Sequence, residues 1–395
     1  MPGPTPNQRS RRVEESATLA ISAKAQRMRA AGLDIVSLGA GEPDFPTPEP
    51  VARAGIEAIE RGDYRYTAAA GVPALREAGA KWFQEQFGLD YTTDEVMVCA
   101  GAKAALHMAL AAIVEPGDPV LVLAPHWVSY PALITMAGGE PVVLRANPDR
   151  GFVHDAHSIE QAVRQHGVKG LIVNFPNNPS GAVPGRHDLS ALVDIASRND
   201  LWLLSDEIYS SLIYDGLEHL SPARVPGGKA RTIVVNGFTK SHTLTGWRTS
   251  FLAGPAEIVA TCARLQSQLL GNPCTISQAA MLEACNNPQP QLLAERLAAY
   301  DQRRRFLVEA IDPLPGVSLP TPKGAFYALI DIRRLCDARG IDDVTACSQL
   351  LEDHHLALVP GSAFAAPGFV RASFATSMDN LQKAAARFRA WVEAT

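Results

Sequence analysis

The stretch TIVVNGFTKSHTLTGWR, residues 232–248, passes from an unbroken apolar run into a polar loop carrying two cations, Lys240 and Arg248, with no acid between them. A run of about five apolar, β-branched residues fits a strand buried on both faces, as in a parallel sheet covered by helices. Four more runs read the same way: VMVCA (96–100), VLVLA (120–124), LIVNF (171–175) and LWLLS (201–205). Helical patterns alternate with them, for example AKAALHMALAAIV over 102–114. This alternation predicts an α/β fold, a mostly parallel sheet with flanking helices.

The chain has 395 residues, 47% apolar and 19% charged, enough for two or three packed units of about 150 residues each. From about residue 286 the pattern changes to a long charged helix, QLLAERLAAYDQRRRFLVEAI, then KGAFYALIDI and a closing helical stretch. We expect a large domain over 46–288 and a smaller α+β domain from 1–45 and 289–395, with CNNPQP at the junction. The formal charge of -5 is mild and the basic residues are dispersed, which argues against a polyanion or nucleic-acid partner. The N-terminus has no apolar signal core, and no window reaches about 18 uninterrupted apolar residues. A cytoplasmic protein is expected. Six cysteines without a C-x-x-C pair read as buried, reduced thiols.

Open parallel sheets bind ligands beyond the carboxyl ends of their strands. After the first run come Gly101, Ala102 and Lys103; after the second, His126 and Trp127; after the third, Asn177 and Asn178. The fourth supplies Asp206 and Tyr209, the fifth Lys240 and Arg248. One sheet edge is therefore expected to gather an acid, an amide, an indole, a phenol, a lysine and an arginine. No nucleotide loop competes: LGAGEPD (38–44) has two of the three glycines of a dinucleotide fingerprint and a proline where the helix should begin, and Gly228-Lys229 is followed by alanine. His154/His157 and His354/His355 are the nearest approach to metal spacing, and they read as solvated histidines with no metal.

A lysine titrating near about 10.4 is a poor nucleophile at neutral pH unless burial or nearby cations lower it. A lysine without a carboxylate partner suits a covalent bond to an aldehyde cofactor, with pyridoxal 5'-phosphate the matching case. Asp206 can then stabilise a pyridinium, Asn178 and Tyr209 can bond the ring oxygen, and Trp127 can stack on the ring. The helix start at Gly101-Ala102-Lys103, with Arg248, suits the phosphate.

The motifs GEPDFPTP (41–48), NNPSG (177–181), SDEIY (205–209), TKSHTLTGWR (239–248) and VRASFA (370–375) resemble those of class I, fold-type-I PLP-dependent aminotransferases, in particular the bacterial aspartate-aminotransferase-like subgroup. The resemblance spans the chain from about residue 12. It implies that Lys240 carries the cofactor, that Asp206 partners its ring nitrogen and that Arg371 clamps the substrate α-carboxylate. Gly41 would lie in the loop over that carboxylate, with Trp127 and Asn178 also touching substrate. Tyr66 would reach the phosphate of a neighbouring subunit in a homodimer. The reaction implied moves an amino group from an L-amino acid to a 2-oxo acid in two half-reactions.

Several positions depart from the family pattern: Gly237 for a serine, with Thr239 a substitute hydroxyl, His126 for a tyrosine, Ser180 for a threonine, Ser250 for a glycine, and Leu269 and Leu270 for small polar residues. Aspartate or glutamate is the expected donor. An acidic donor needs a second cation, and Arg65, Lys103 and Arg9 to Arg12 are all candidates. Aromatic, prephenate-type or other neutral donors are alternatives, as are a lyase or decarboxylase on the same fold and a cofactor-binding regulator.

Overall fold

All five apolar runs become strands, and two further strands without that signature complete their sheet. The computed structural model describes residues 3–13 and 17–394. In chain order its strands are β1 (Val36–Ser37), β2 (Val96–Cys99), β3 (Pro119–Ala124), β4 (Glu140–Arg145), β5 (Gly170–Asn174), β6 (Trp202–Asp206), β7 (Thr232–Asn236), β8 (Ser250–Ala253), β9 (Tyr327–Asp331), β10 (Leu356–Ala357), β11 (Val359–Pro360) and β12 (Phe369–Ser373).

Seven strands form the main sheet in the order β2-β8-β7-β6-β5-β3-β4. From β4 to β7 all neighbours are parallel, whereas β8 is antiparallel to both β7 and β2. Side chains alternate between two covered faces, as the pleat requires. Val120 and Val122 pack with Leu106 and Ile134 on one face, and Leu121 and Leu123 pack with Ile159, Val163 and Leu192 on the other. Both layers are helical, which is why these strands read as continuous apolar runs. β4 lies at the edge and is half-exposed, and it carries Glu140, Pro141 and Arg145. No apolar run marks it.

A second, antiparallel sheet has the order β11-β12-β9. The helix Pro290–Ile311, spanning the predicted charged segment, and the helix Met378–Glu393 cover it through Tyr300, Leu307, Phe388 and Trp391. β1 pairs in parallel with β10. That pairing holds the chain from residue 38 onward beside the carboxyl edge of the main sheet.

Two expectations need correction. Cys274, which precedes the helix Thr275–Asn286, is exposed and Cys285, in that helix's last turn, is only partly buried, while the other four cysteines are buried as free thiols. His154 is not solvated: it is buried, and its Nε2 bonds the Leu144 carbonyl. No helix among the described residues is long and apolar enough to cross a membrane, and no group of three or more His, Cys, Asp or Glu among them is arranged to hold a metal.

Candidate active site

The strand ends meet at a cavity of about 340 Å³ lined by Gly41, Ala102, Lys103, Trp127, Asn178, Asp206, Tyr209, Lys240, Arg248 and Arg371 among others. Asp206 is the last residue of β6 and is almost fully buried. Its Oδ2 accepts from Tyr130 Oη at 2.8 Å and its Oδ1 from the Ile208 amide at 3.3 Å. Burial pushes the carboxyl up to about 6, with the Tyr130 hydroxyl and Ile208 amide opposing. No cation pairs with it among the described residues.

Asn174 closes β5 one strand away. Its Nδ2 donates to the Asp206 carbonyl at 2.8 Å, and its Oδ1 accepts from the Asn178 amide at 2.9 Å. Asn178 Oδ1 in turn accepts from Arg371 Nη1 at 2.9 Å. With that oxygen occupied, Nδ2 is the end of the Asn178 side chain left to meet a ligand.

Lys240 lies four residues beyond β7, and its Nζ donates to the Gly41 carbonyl at 2.7 Å. No carboxylate forms an ion pair with it among the described residues. Burial lowers its ammonium to about 8; Arg371 and Arg248 push the same way and Glu42 and Asp206 oppose. The two uncompensated cations of the loop thus have a physical basis: a nearby acid would hold Lys240 protonated.

Arg371, in β12, is buried with no carboxylate partner among the described residues, a costly arrangement for a charge. Its Nη2 donates to the Gly39 carbonyl at 2.7 Å, its Nε is unpartnered, and its guanidinium lies 4.5 Å from the Tyr327 ring centre and 4.8 Å from that of Phe364. A buried fork of donors between two aromatic faces fits a carboxylate.

At the far end, the helix Ala102–Ile113 points its N-terminus toward Arg248. Gly101 caps it at φ +91°, and a Cβ there would sit 2.7 Å from Arg248 Nη2. Arg248 itself adopts φ +54° and donates to the Thr245 carbonyl, a strained backbone that brings its side chain over the helix start. First-turn amides beside a guanidinium form an anion site. Lys103 Nζ lies 4.9 Å from the Trp127 ring centre. Thr239 also lines the cavity.

Sequence reasoning missed several lining residues. Tyr130 and Tyr327 carry no local signal, since each reaches the site through tertiary packing. Asn174 could have been found as a polar residue ending an apolar run. Thr18, Leu19 and Ser22 come from the helix Ala17–Ala30. Tyr66 is almost fully exposed and does not line this chain's cavity, and neither do His126, Leu269 nor Leu270.

Residues 34–388 match the family model for aminotransferase class I and II. The chain belongs to this family. It is 44% identical over 384 residues to the aspartate/prephenate aminotransferase of Thermus thermophilus, covering 96% of this chain and 97% of the relative. It is 40% identical over 383 residues to the aspartate aminotransferase of Geobacillus stearothermophilus, at 96% of each chain. A solved structure of the Thermus thermophilus aspartate aminotransferase with maleate superposes with a TM-score of 0.93 at 42% identity, covering 99% of this chain and all of the other. The fold is the α/β aminotransferase fold expected from the motifs, and the chain is a transaminase that uses pyridoxal 5'-phosphate.

The residues present fit that cofactor. A buried carboxylate without a cation suits a protonated ring nitrogen, a depressed lysine suits the aldehyde, and the Gly101 cradle with Arg248 suits a phosphate.

Proposed function

We propose that this aminotransferase takes aspartate or glutamate as donor and a matching 2-oxo acid as acceptor. The observation that carries the reading is that, besides Lys240 and Arg248, two further cations, Arg371 and Lys103, line the cavity. Arg371 takes the α-carboxylate that every substrate shares; Lys103 takes the second carboxylate of a dicarboxylic one. The aspartate aminotransferases among its relatives support this reading. The other candidate cations are less suited: neither Arg65 nor Arg12 lines the cavity, Arg12 pairs with Glu140, and the side chain of Arg9 lies outside the described residues.

When bound, pyridoxal phosphate supplies an aldehyde that takes up the substrate amine and a ring that withdraws electrons from the α-carbon. The chain supplies the rest. Asp206, held by Tyr130, would keep the ring-nitrogen proton in place; Asn178 Nδ2 and Tyr209 Oη would donate to the ring oxygen, and Trp127 would pack on the ring. The Gly101, Ala102 and Lys103 amides and Arg248 would hold the phosphate. Lys240 Nζ would hold the cofactor through its aldehyde and, once the substrate amine takes its place, would serve as the base for the substrate α-proton. Gly41 belongs to the loop covering the carboxylate.

The same proposal includes a homodimer in which Tyr66 serves the partner's site. Tyr66, Leu269 and Leu270 are exposed, and hydrogen bonds from Gln266 and Thr275 hold the 65–69 segment beside the helices that carry or adjoin those leucines. It also includes the division into 46–288 and 1–45 with 289–395, supported by the separate sheet of β9, β11 and β12, and a cytoplasmic location. A prephenate-type acceptor is the second reading, favoured by the name of the Thermus relative at 44% identity. The deciding experiment is a donor panel against 2-oxoglutarate, oxaloacetate, pyruvate and prephenate. Stoichiometric nitrogen transfer from aspartate supports the proposal; ammonia or carbon dioxide release instead contradicts it.

A further inference from the structure

We infer that Tyr327 is a positioning residue that joins the cofactor side of the site to its carboxylate side. The inference rests on the placement of Tyr209 at the ring oxygen and of Arg371 at the substrate carboxylate proposed above. Tyr327 Oη lies 2.8 Å from Tyr209 Oη. Its ring face lies 4.5 Å from the Arg371 guanidinium. The β9–β12 register explains this second contact: Arg371 pairs with Leu329, and Tyr327 is two residues along the same strand, on the same face. Its hydroxyl also fills the space where a Cβ on Gly41 would sit, at 2.5 Å. One buried side chain therefore touches the groups assigned to the ring oxygen, the carboxylate and the covering loop.

The direction of the tyrosine pair follows from proton counting. A phenol has one proton to donate and accepts through its oxygen. When Tyr209 donates to the ring oxygen, its own oxygen can only accept, so Tyr327 is the donor across the 2.8 Å contact. A donor feeding a donor polarises it and strengthens the final bond. Arg371 on the ring face holds the phenol in place without using its hydroxyl.

The test uses the loaded enzyme and the pH midpoint at which the bound cofactor's visible absorption changes. Losing a donor to the ring oxygen leaves more negative charge beside the adjacent proton, so Tyr209→Phe raises the midpoint. Tyr327→Phe raises it too, by less, and adds nothing when combined with Tyr209→Phe. Because Tyr327→Phe keeps the ring face, the dissociation constant of succinate, a non-reacting dicarboxylate, changes by less than about two-fold, whereas Tyr327→Leu weakens it by roughly three- to ten-fold. An unmoved midpoint in Tyr327→Phe, beside a shifted one in Tyr209→Phe, overturns the inference alone, and so does an additive shift in the double variant. An unmoved midpoint in Tyr209→Phe overturns the assignment of Tyr209 as well.

Discussion

Lys240 Nζ donates to the Gly41 carbonyl at 2.7 Å, and burial lowers its ammonium to about 8. The amine is thus held by a neutral acceptor that does not lock its proton on. Loading by pyridoxal phosphate needs the neutral amine. The uptake rate of the cofactor-free protein should rise with pH and level off above about 8, well below the free-lysine value of about 10.4. Stopped-flow absorbance over a pH series reads this directly; a rate still climbing past pH 10 would show an ordinary lysine.

Asp206 makes the opposite prediction for stability. Its carboxyl is raised to about 6, so the folded cofactor-free chain binds a proton more tightly than the unfolded chain between about pH 4 and 6. Stability from this group is lost as pH rises through that window. Asp206→Asn has no such loss and should stabilise the cofactor-free protein above pH 6 by at most about 3 kcal/mol, converging with the parent below about pH 4. Denaturant unfolding of both proteins across pH checks it, and a destabilised variant at pH 7 would contradict the electrostatics. The same variant should lose most transaminase activity.

Arg371→Ala removes a charge-assisted fork common to all substrates. Its kcat/KM should fall roughly 10²- to 10³-fold for donor and acceptor alike. Steady-state kinetics of both half-reactions is the check. Loss confined to one partner would mean that Arg371 reads something other than the shared carboxylate.

Lys103→Met separates the two carboxylates. Aspartate should lose about ten-fold or more in kcat/KM, while a neutral donor such as alanine should change by less than about three-fold. Equal losses would place Lys103 at the phosphate.

Much of the sheet was legible because β2, β3, β5, β6 and β7 are covered on both faces, which forces continuous apolar runs. β4, an edge strand with Glu140 and Arg145, had no such constraint. The residues ending those runs, Asp206 and the Lys240 loop, could be placed at one edge from topology alone. Gly41 and Arg371, which line the cavity, were visible only through their motifs. Tyr130 and Tyr327 were not visible at all: each contacts a residue more than 70 positions away in the chain, at Asp206 and Tyr209, and no spacing encodes that. His154 misled because an exposed-looking polar segment in fact folds under β4.

Borohydride reduction of the loaded enzyme, followed by peptide mass spectrometry, tests the central claim most directly. A single pyridoxyl-phosphate mass addition on Lys240 is the predicted result. The same label on Lys103 or any other lysine, with Lys240 unmodified, would contradict it.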